Sequence, residues 1–536
     1  MNFRPNVVRR GGPEQRPQYL IELITMADNT YVGAIDQGTT GTRFIAFDHG
    51  GKVVGSAYKK HEQIYPEPGW VEHDPIEIWE NTKDVVKDGL VDAGISAEQL
   101  EAIGITNQRE TTIVWDAETG QPVYNAIVWQ DRRTTDRVEE IQEEDKVEWI
   151  RDKTGLECDA YFSATKAEWI LDNADPIKQQ RARPKDVRER AEAGELMMGT
   201  PDTWVIYNLT GNHITDVSNA SRTMLYNIED LEWDDELLEE FDVPREMLPE
   251  VRPSSDEETY GSTDPEGFLG EAVPVAGALG DQQAALFGQT GFDVGDAKNT
   301  YGTGSFYLMN TGNEAVASDH GLLTTIGFQL SGEDVMYCLE GSIFMTGAAI
   351  EWLEDMELID DAAQTADMAR SVEGTDGVYL VPAFTGLGAP HWDGRARGTI
   401  VGMTRGTRKE HIVRATLEAI AYQTRDVAEA MEADSGVETT SLRVDGGAVK
   451  NNYLCQLQAD IIQTEIVRPV VDETTALGSA YAAGLAVGYW SDLDSLRENW
   501  QVDREFDVQM DQSEADQLYS RWDDAVERSL DWATEE

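Results

Sequence analysis

From Tyr31 onward, apolar and polar positions fall in short runs separated by glycine-rich turns. Tyr31-Val32-Gly33-Ala34-Ile35 leads into the polar stretch Asp36-Gln37-Gly38-Thr39-Thr40-Gly41-Thr42. A second apolar run, Arg43 to Asp48, follows, and His49-Gly50-Gly51 turns into a third, Lys52-Val53-Val54-Gly55. Three runs joined by tight turns predict an antiparallel meander. The period then lengthens. Asp74-Pro75 supplies an N-cap acceptor and a first-turn proline. Ile78, Trp79, Val85, Val86 and Leu90 recur at helical spacing behind it. Ile103-Gly104-Ile105-Thr106 and Ile113-Val114-Trp115 predict two further strands.

The pattern begins again at Asp296. Ala297 to Ser305 and Phe306 to Met309 predict a hairpin around a Gly/Thr loop, with Asn310-Thr311-Gly312 as the next turn. A long helix is expected over about 410–432, then the strand Leu442-Arg443-Val444, the loop Asp445-Gly446-Gly447-Ala448 and a helix from about Asn452. The Gly/Ala/Ser-rich stretch from Thr475 to Val487 predicts a helix able to pack closely on a neighbour. The repeated hairpin-plus-helix unit predicts two related α/β domains facing a cleft, at 30–290 and 291–536. Residues 1–29 stand apart. The first 25 are basic, proline-bearing and without packing period, so a flexible tail is expected, or translation from Met26.

The 536 residues hold 43 basic and 101 acidic side chains, a net charge of −58. That argues against nucleic acid and anionic membrane surfaces, which need a basic face. No apolar run is long enough to span a bilayer. Three scattered cysteines, Cys158, Cys338 and Cys455, form no CxxC, which suits a reducing cytoplasm. The acids are spread along the whole chain, and lysine is scarce beside arginine, 13 against 30. Whole-surface adaptation to a high-salt cytoplasm is the expectation.

The loop Asp36–Arg43 has the parts of a phosphate cradle: glycines that let backbone N–H groups approach, threonine hydroxyls, an arginine and a carboxylate suited to Mg²⁺. By itself it is equally an ordinary hairpin turn, and it is neither GxxxxGK[ST] nor GxGxxG. Its partner is the similar loop Thr300–Ser305, and two such hairpins facing each other would clamp a polyphosphate. Asp445-Gly446-Gly447 joins a strand to a helix, a usual place for a nucleotide. These loops, with Gly280-Asp281-Gln282-Gln283, stand in the order of the sugar kinase, heat-shock chaperone and actin superfamily. The long stretches Gly104–Thr112, Asn125–Gln130 and Pro382–Pro390 resemble the glycerol kinases of the FGGY carbohydrate kinase family, and the likeness runs from about Tyr31 to the last helices.

The resemblance implies two ribonuclease-H-like (actin-like ATPase) α/β domains with the active site in the cleft between them, and ATP-dependent phosphorylation of glycerol to sn-glycerol 3-phosphate. It implies glycerol contacts from Arg109, Glu110, Trp129, Tyr161, Gln282 and Phe306, with Asp281 as catalytic base and a further glycerol contact. It puts Asp36 near Mg²⁺, Thr39, Thr40, Gly41 and Arg43 on the ATP phosphates, and Thr303, Gly347, Glu351, Gly447 and Asn451 on the nucleotide. It also implies a homo-oligomer, dimer or tetramer. Glu351 replaces a more usual Gln and Gly41 a more usual Ser. Residues 257–261 lack a phosphorylatable His, and the loop near Asp264–Gly267 lacks the basic glycine-rich segment tied to sugar-bisphosphate inhibition. A kinase for another polyol or a pentulose is the nearer rival reading. An actin- or chaperone-like ATPase binding module is the more distant one.

Overall fold

The structure, a computed structural model, describes residues 30–174 and 187–533. The expectations for the first 29 residues lie outside that range. Six strands form the first sheet: β1 (Tyr31–Gln37), β2 (Gly41–Phe47), β3 (Val53–Lys60), β4 (Leu100–Asn107), β5 (Gly261–Ser262) and β6 (Pro274–Gly280), in the order β5-β6-β4-β1-β2-β3. β1 to β3 are the antiparallel meander, and β4 runs parallel to both β1 and β6. The second sheet has seven: β7 (Ala297–Tyr301), β8 (Ser305–Gly312), β9 (Leu323–Phe328), β10 (Met336–Ile343), β11 (Ser441–Asp445), β12 (Glu465–Pro469) and β13 (Val502–Phe506), in the order β9-β10-β8-β7-β11-β12-β13. It repeats the design, an antiparallel hairpin beside the parallel strands β11 and β12. Each is the ribonuclease-H-like arrangement.

One local expectation is corrected. Asn310-Thr311-Gly312 is not a turn, because β8 runs on through it against β10. The polar Asn310 is tolerated in a buried ladder because its amide donates to Gly291 O at 3.1 Å and its oxygen accepts from Gly312 N at 2.9 Å.

The helices cover the sheets as their apolar faces require. α1 (Pro75–Ala93) is capped by the Asp74 carboxylate, which accepts from Ile76 N, and ends at the left-handed Gly94. Its Val85, Val86 and Leu90 pack on Phe44, Ile103 and Ile105 on one face of the first sheet. α2 (Asp281–Gly288) follows β6 directly, and α3 (Gly347–Asp355) follows β10. α4 (Lys409–Ser435) and α5 (Asn452–Ile462) bury their apolar sides against the second sheet, α6 (Thr474–Ala486) lies on the first, and α7 (Gln512–Val526) packs over α4 and α5. α6 does so with almost no side-chain layer between. A Cβ on Gly104 of β4 would lie 2.0 Å from Ser479 O, and one on Gly478 would lie 1.8 Å from Ala284 O of α2. A helix from late in the chain is thus keyed by glycines into the first sheet and into α2, the helix that begins with Asp281. Side chains drawn from 114–171 and 187–247 add a separate apolar core, in which Ile150, Phe162 and Leu225 are fully buried and which meets β9 and β10 through Leu323 and Tyr337.

Candidate active site

The ends of β1, β4, β6 and β7 deliver polar side chains to one cavity. It encloses about 200 Å³ and is lined by Thr39, Arg109, Glu110, Trp129, Tyr161, Asp281, Gln282, Thr300, Gly302, Thr303, Gly304 and Phe306. All seven residues expected at the glycerol site therefore share one wall. Both hairpin loops reach it, the first through Thr39 and the second through Gly302–Gly304.

The floor is an ion cluster with two members that sequence reasoning missed, Arg222 and Glu340. Arg109 Nη1 and Nη2 donate to the two oxygens of Glu340 at 2.5 and 3.0 Å. Arg222 Nη2 donates to Glu340 Oε1 at 3.0 Å, and its Nε donates to Glu110 Oε1 at 2.7 Å. Arg109 Nε lies 3.2 Å from Asp281 Oδ1 yet has no hydrogen-bond partner. Burial alone would raise the Glu340 pKa, but Arg109 and Arg222 outweigh it and hold it down at about 2. For Glu110 and Asp281 burial wins over the neighbouring cations, and both carboxyls are raised. Exposure separates the three. The side chains of Glu110 and Glu340 are 1% and 0% exposed, whereas that of Asp281 is 30% exposed. Of the three, Asp281 is the carboxylate most open to the cavity. Glu110 takes a backbone φ of +60°, strain of the sort that collects at functional sites.

Around this floor, Trp129 stands edge-on to Tyr161 at 5.6 Å and to Phe306 at 6.5 Å, and Arg109 lies over the Phe306 ring at 5.7 Å. Lys298, also missed, donates to Gln282 Oε1 at 2.5 Å and to Thr300 Oγ1 at 2.9 Å. Burial pushes its pKa down to about 8 against the pull of Asp445, Glu340 and Asp281.

The first loop is held from behind. Thr39 O is 2.8 Å from His61 Nε2 and accepts from Gln63 Nε2 at 2.9 Å, and Trp129 Nε1 donates to Thr39 Oγ1 at 3.0 Å. Farther along, Thr40 Oγ1 is 3.0 Å from Tyr58 Oη, and Arg43 pairs with Glu473 and lies over the Tyr58 ring at 5.3 Å. Gly41 has a local reason: a Cβ there would meet Lys59 O at 2.5 Å and Tyr58 Oη at 2.7 Å. Asp36 is pushed up to about 7, chiefly by burial, with Arg43 opposing and Asp281 and Glu473 adding to it. A carboxylate so placed favours a cation. No group of three or more His, Cys, Asp or Glu among the described residues could hold a metal. A single carboxylate suits Mg²⁺, which keeps most of its ligands as water and substrate phosphate.

The remaining expected residues lie on the far side of the second loop. Gly347 N donates to Gly302 O at 3.0 Å, so α3 starts on that loop. Beyond α3 a second cavity of about 450 Å³ is lined by Ile350, Ala362, Ala363, Thr365, Ala366, Arg370, Gly447, Ala448, Lys450, Asn451, Asn452 and Tyr453. Asn451 also caps α5, accepting from Tyr453 N and Leu454 N, and its amide donates to Thr365 Oγ1 at 3.1 Å. Glu351 is exposed on α3 and lines neither cavity.

Two family models match the chain: the N-terminal domain of the FGGY family of carbohydrate kinases over residues 31–288, and its C-terminal domain over 297–487. The chain belongs to the FGGY family of carbohydrate kinases. It is 81% identical to the glycerol kinase of the halophilic archaeon Haloarcula marismortui, covering 95% of this chain and all of that one. It is 58% identical to glycerol kinase 2 of Thermotoga maritima, over 94% of this chain and 99% of that one. Among solved structures, Plasmodium falciparum glycerol kinase with ADP superposes with a TM-score of 0.86 at 39% identity, covering 94% of this chain and 98% of that one. Family membership confirms the two-domain actin-like architecture expected from the sequence.

Proposed function

We propose that this FGGY kinase transfers the γ-phosphoryl group of ATP to a terminal hydroxyl of glycerol, giving sn-glycerol 3-phosphate. One observation carries the reading: a small cavity in which one part-exposed carboxylate, Asp281, stands against an arginine, with both glycine-rich loops on the rim. The full-length likeness to glycerol kinases supports it and disfavours another polyol or a pentulose as substrate, or an actin- or chaperone-like ATPase binding module.

The chemistry follows from the side chains. A triol offers no charge, so it is held by fixed donors and acceptors, Arg109 and Gln282 on one side and Glu110 and Asp281 on the other. Trp129 and Phe306 cover its carbon chain. Asp281, fixed by Gln282 N at 2.8 Å, accepts the hydroxyl proton as that oxygen closes on phosphorus. Thr39, Thr40, Gly41, Arg43 and Thr303 receive the phosphates, and Gly347, Gly447 and Asn451 border the nucleoside. Bound Mg²⁺ near Asp36 would offset charge between the β- and γ-phosphates.

The same reading includes work in the cytoplasm and assembly as a dimer or tetramer. No helix among the described residues is long and apolar enough to cross a membrane, and the three cysteines are buried free thiols. A coupled assay of ADP release, run with and without glycerol and against a panel of pentuloses, tests the reading. ADP release indifferent to glycerol would overturn it.

A further inference from the structure

Glu340 interrupts an otherwise uncharged strand. It lies in β10 between Leu339 and Gly341, is fully buried, and belongs to the second sheet, while Arg109 follows β4 of the first. Both its oxygens are taken. Oε2 accepts from Arg109 Nη1, and Oε1 accepts from Arg109 Nη2, Arg222 Nη2 and, at 3.3 Å, Ser342 Oγ. Gln283 Oε1 takes a further Nη1 proton of Arg109 at 3.1 Å. Three of the guanidinium's five N–H bonds are thereby committed, and of the remaining two the Nε–H lies beside Asp281 without a hydrogen-bond partner.

Stability is a weak reason for this arrangement. Desolvating charges in a protein interior is often no better than filling the space with apolar side chains. What a two-pronged carboxylate does supply is geometry, because fork-to-fork pairing fixes the guanidinium plane as a single point charge cannot. We propose that Glu340 is the positioning residue for Arg109: by holding both terminal nitrogens from the opposite sheet, it turns the Nε–H edge toward Asp281, where a glycerol hydroxyl completes the pair. This rests on Arg109 and Asp281 forming the glycerol site. Glu340 itself touches no substrate; it acts through Arg109.

The test uses Glu340→Gln, Glu340→Asp and Arg109→Ala in the full chain. KM for glycerol, KM for ATP and kcat are measured, with inhibition constants for the two propanediols that each lack one glycerol hydroxyl. Glu340→Gln is expected to raise KM for glycerol about 10- to 100-fold, the worth of a hydrogen bond to a charged group, and to leave KM for ATP within about twofold. Glu340→Asp keeps the charge but retracts it by one methylene, and is expected to show a smaller rise. It carries the comparison if the amide variant does not fold. The propanediol lacking the hydroxyl held by Arg109 should escape the penalty, while the other suffers it. A merely structural Glu340 would weaken glycerol and both diols alike, and that result overturns the proposal. So does an unchanged KM for glycerol in both Glu340 variants when Arg109→Ala raises it. If Arg109→Ala itself leaves KM for glycerol unchanged, the glycerol-site reading fails first and takes this inference with it.

Discussion

His73 is buried behind the first loop in a network that accepts only its neutral form. Its Nε2–H donates to Gln63 Oε1 at 3.0 Å, and its Nδ1 faces the amide of Gln108 at 3.3 Å. A proton on Nδ1 would set donor against donor. Burial, with His61 adding to it, lowers the His73 pKa from 6.5 to about 3. The folded imidazole thus stays neutral where the unfolded one protonates. Its contribution to stability is fully present above pH 6.5 and is lost as pH falls toward 3. Each pH unit in that window costs about 1.4 kcal/mol. Between about pH 6.5 and about pH 5 the loss is about 2 kcal/mol, or about 4 to 8 °C for a cooperative unit of roughly 250 residues. His61 and His213, also lowered chiefly by burial, push the same way. Asp36 and Asp202, pushed up to about 7 and about 6, push the other way, so the total curve is a sum. Subtracting His73→Gln from the parent isolates the one group. Thermal midpoints of both proteins across that interval at fixed salt are the assay. The parent should fall relative to the variant as the pH drops. A difference that stays flat would mean that His73 protonates equally in both states, and the reasoning would be refuted.

Asp281→Asn should lower kcat by roughly 10²–10⁴ with a smaller change in glycerol binding, and a near-parental kcat in the ADP assay would remove Asp281 as the base. Gly104→Ala places a methyl 2.0 Å from Ser479 O; α6 must back away, at a cost of about 1–3 kcal/mol, and calorimetry should show a lowered melting temperature. The charge of −58 repels itself, so melting temperature and activity should both climb from ~0.1 M to ~2 M KCl, mostly below ~1 M where screening lengths still shrink. A continued rise, steeper in sulfate, would point to salting-out instead.

The local signals proved sound where physics is local. Alternation and glycine turns mark β1 to β3, and Asp74-Pro75 marks the start of α1, because strand pleat and helix capping are decided within a few residues. The small-residue stretch after Thr474 announces close packing, but not that its partner is the first sheet, some 370 residues earlier. The candidate site was legible mainly through resemblance. Arg222, Glu340 and Lys298 were missed because their partners are distant in sequence and no spacing rule links them. A signal did exist: Lys298 and Glu340 each interrupt a strand buried around them, and a charge in such a place needs a partner. The turn expected at Asn310 failed for the converse reason, since a polar pair reads as a loop until its buried partners are known.

Thr39 is shared property. Its hydroxyl answers to Trp129 in the substrate cavity, while its carbonyl is held by His61 and Gln63 behind the phosphate loop. If glycerol fills the cavity and ATP the loop, as proposed, a ligand that shifts Trp129 would pull on the loop, and a phosphate that draws the loop forward would pull on the cavity wall. Such a link has a thermodynamic signature that needs no visible motion: whatever factor ATP applies to the affinity for glycerol, glycerol must apply to the affinity for ATP. On that reading Thr39 would join the two binding events in one linked equilibrium, and cutting the link at its indole end, with Trp129→Phe, should bring that factor toward one.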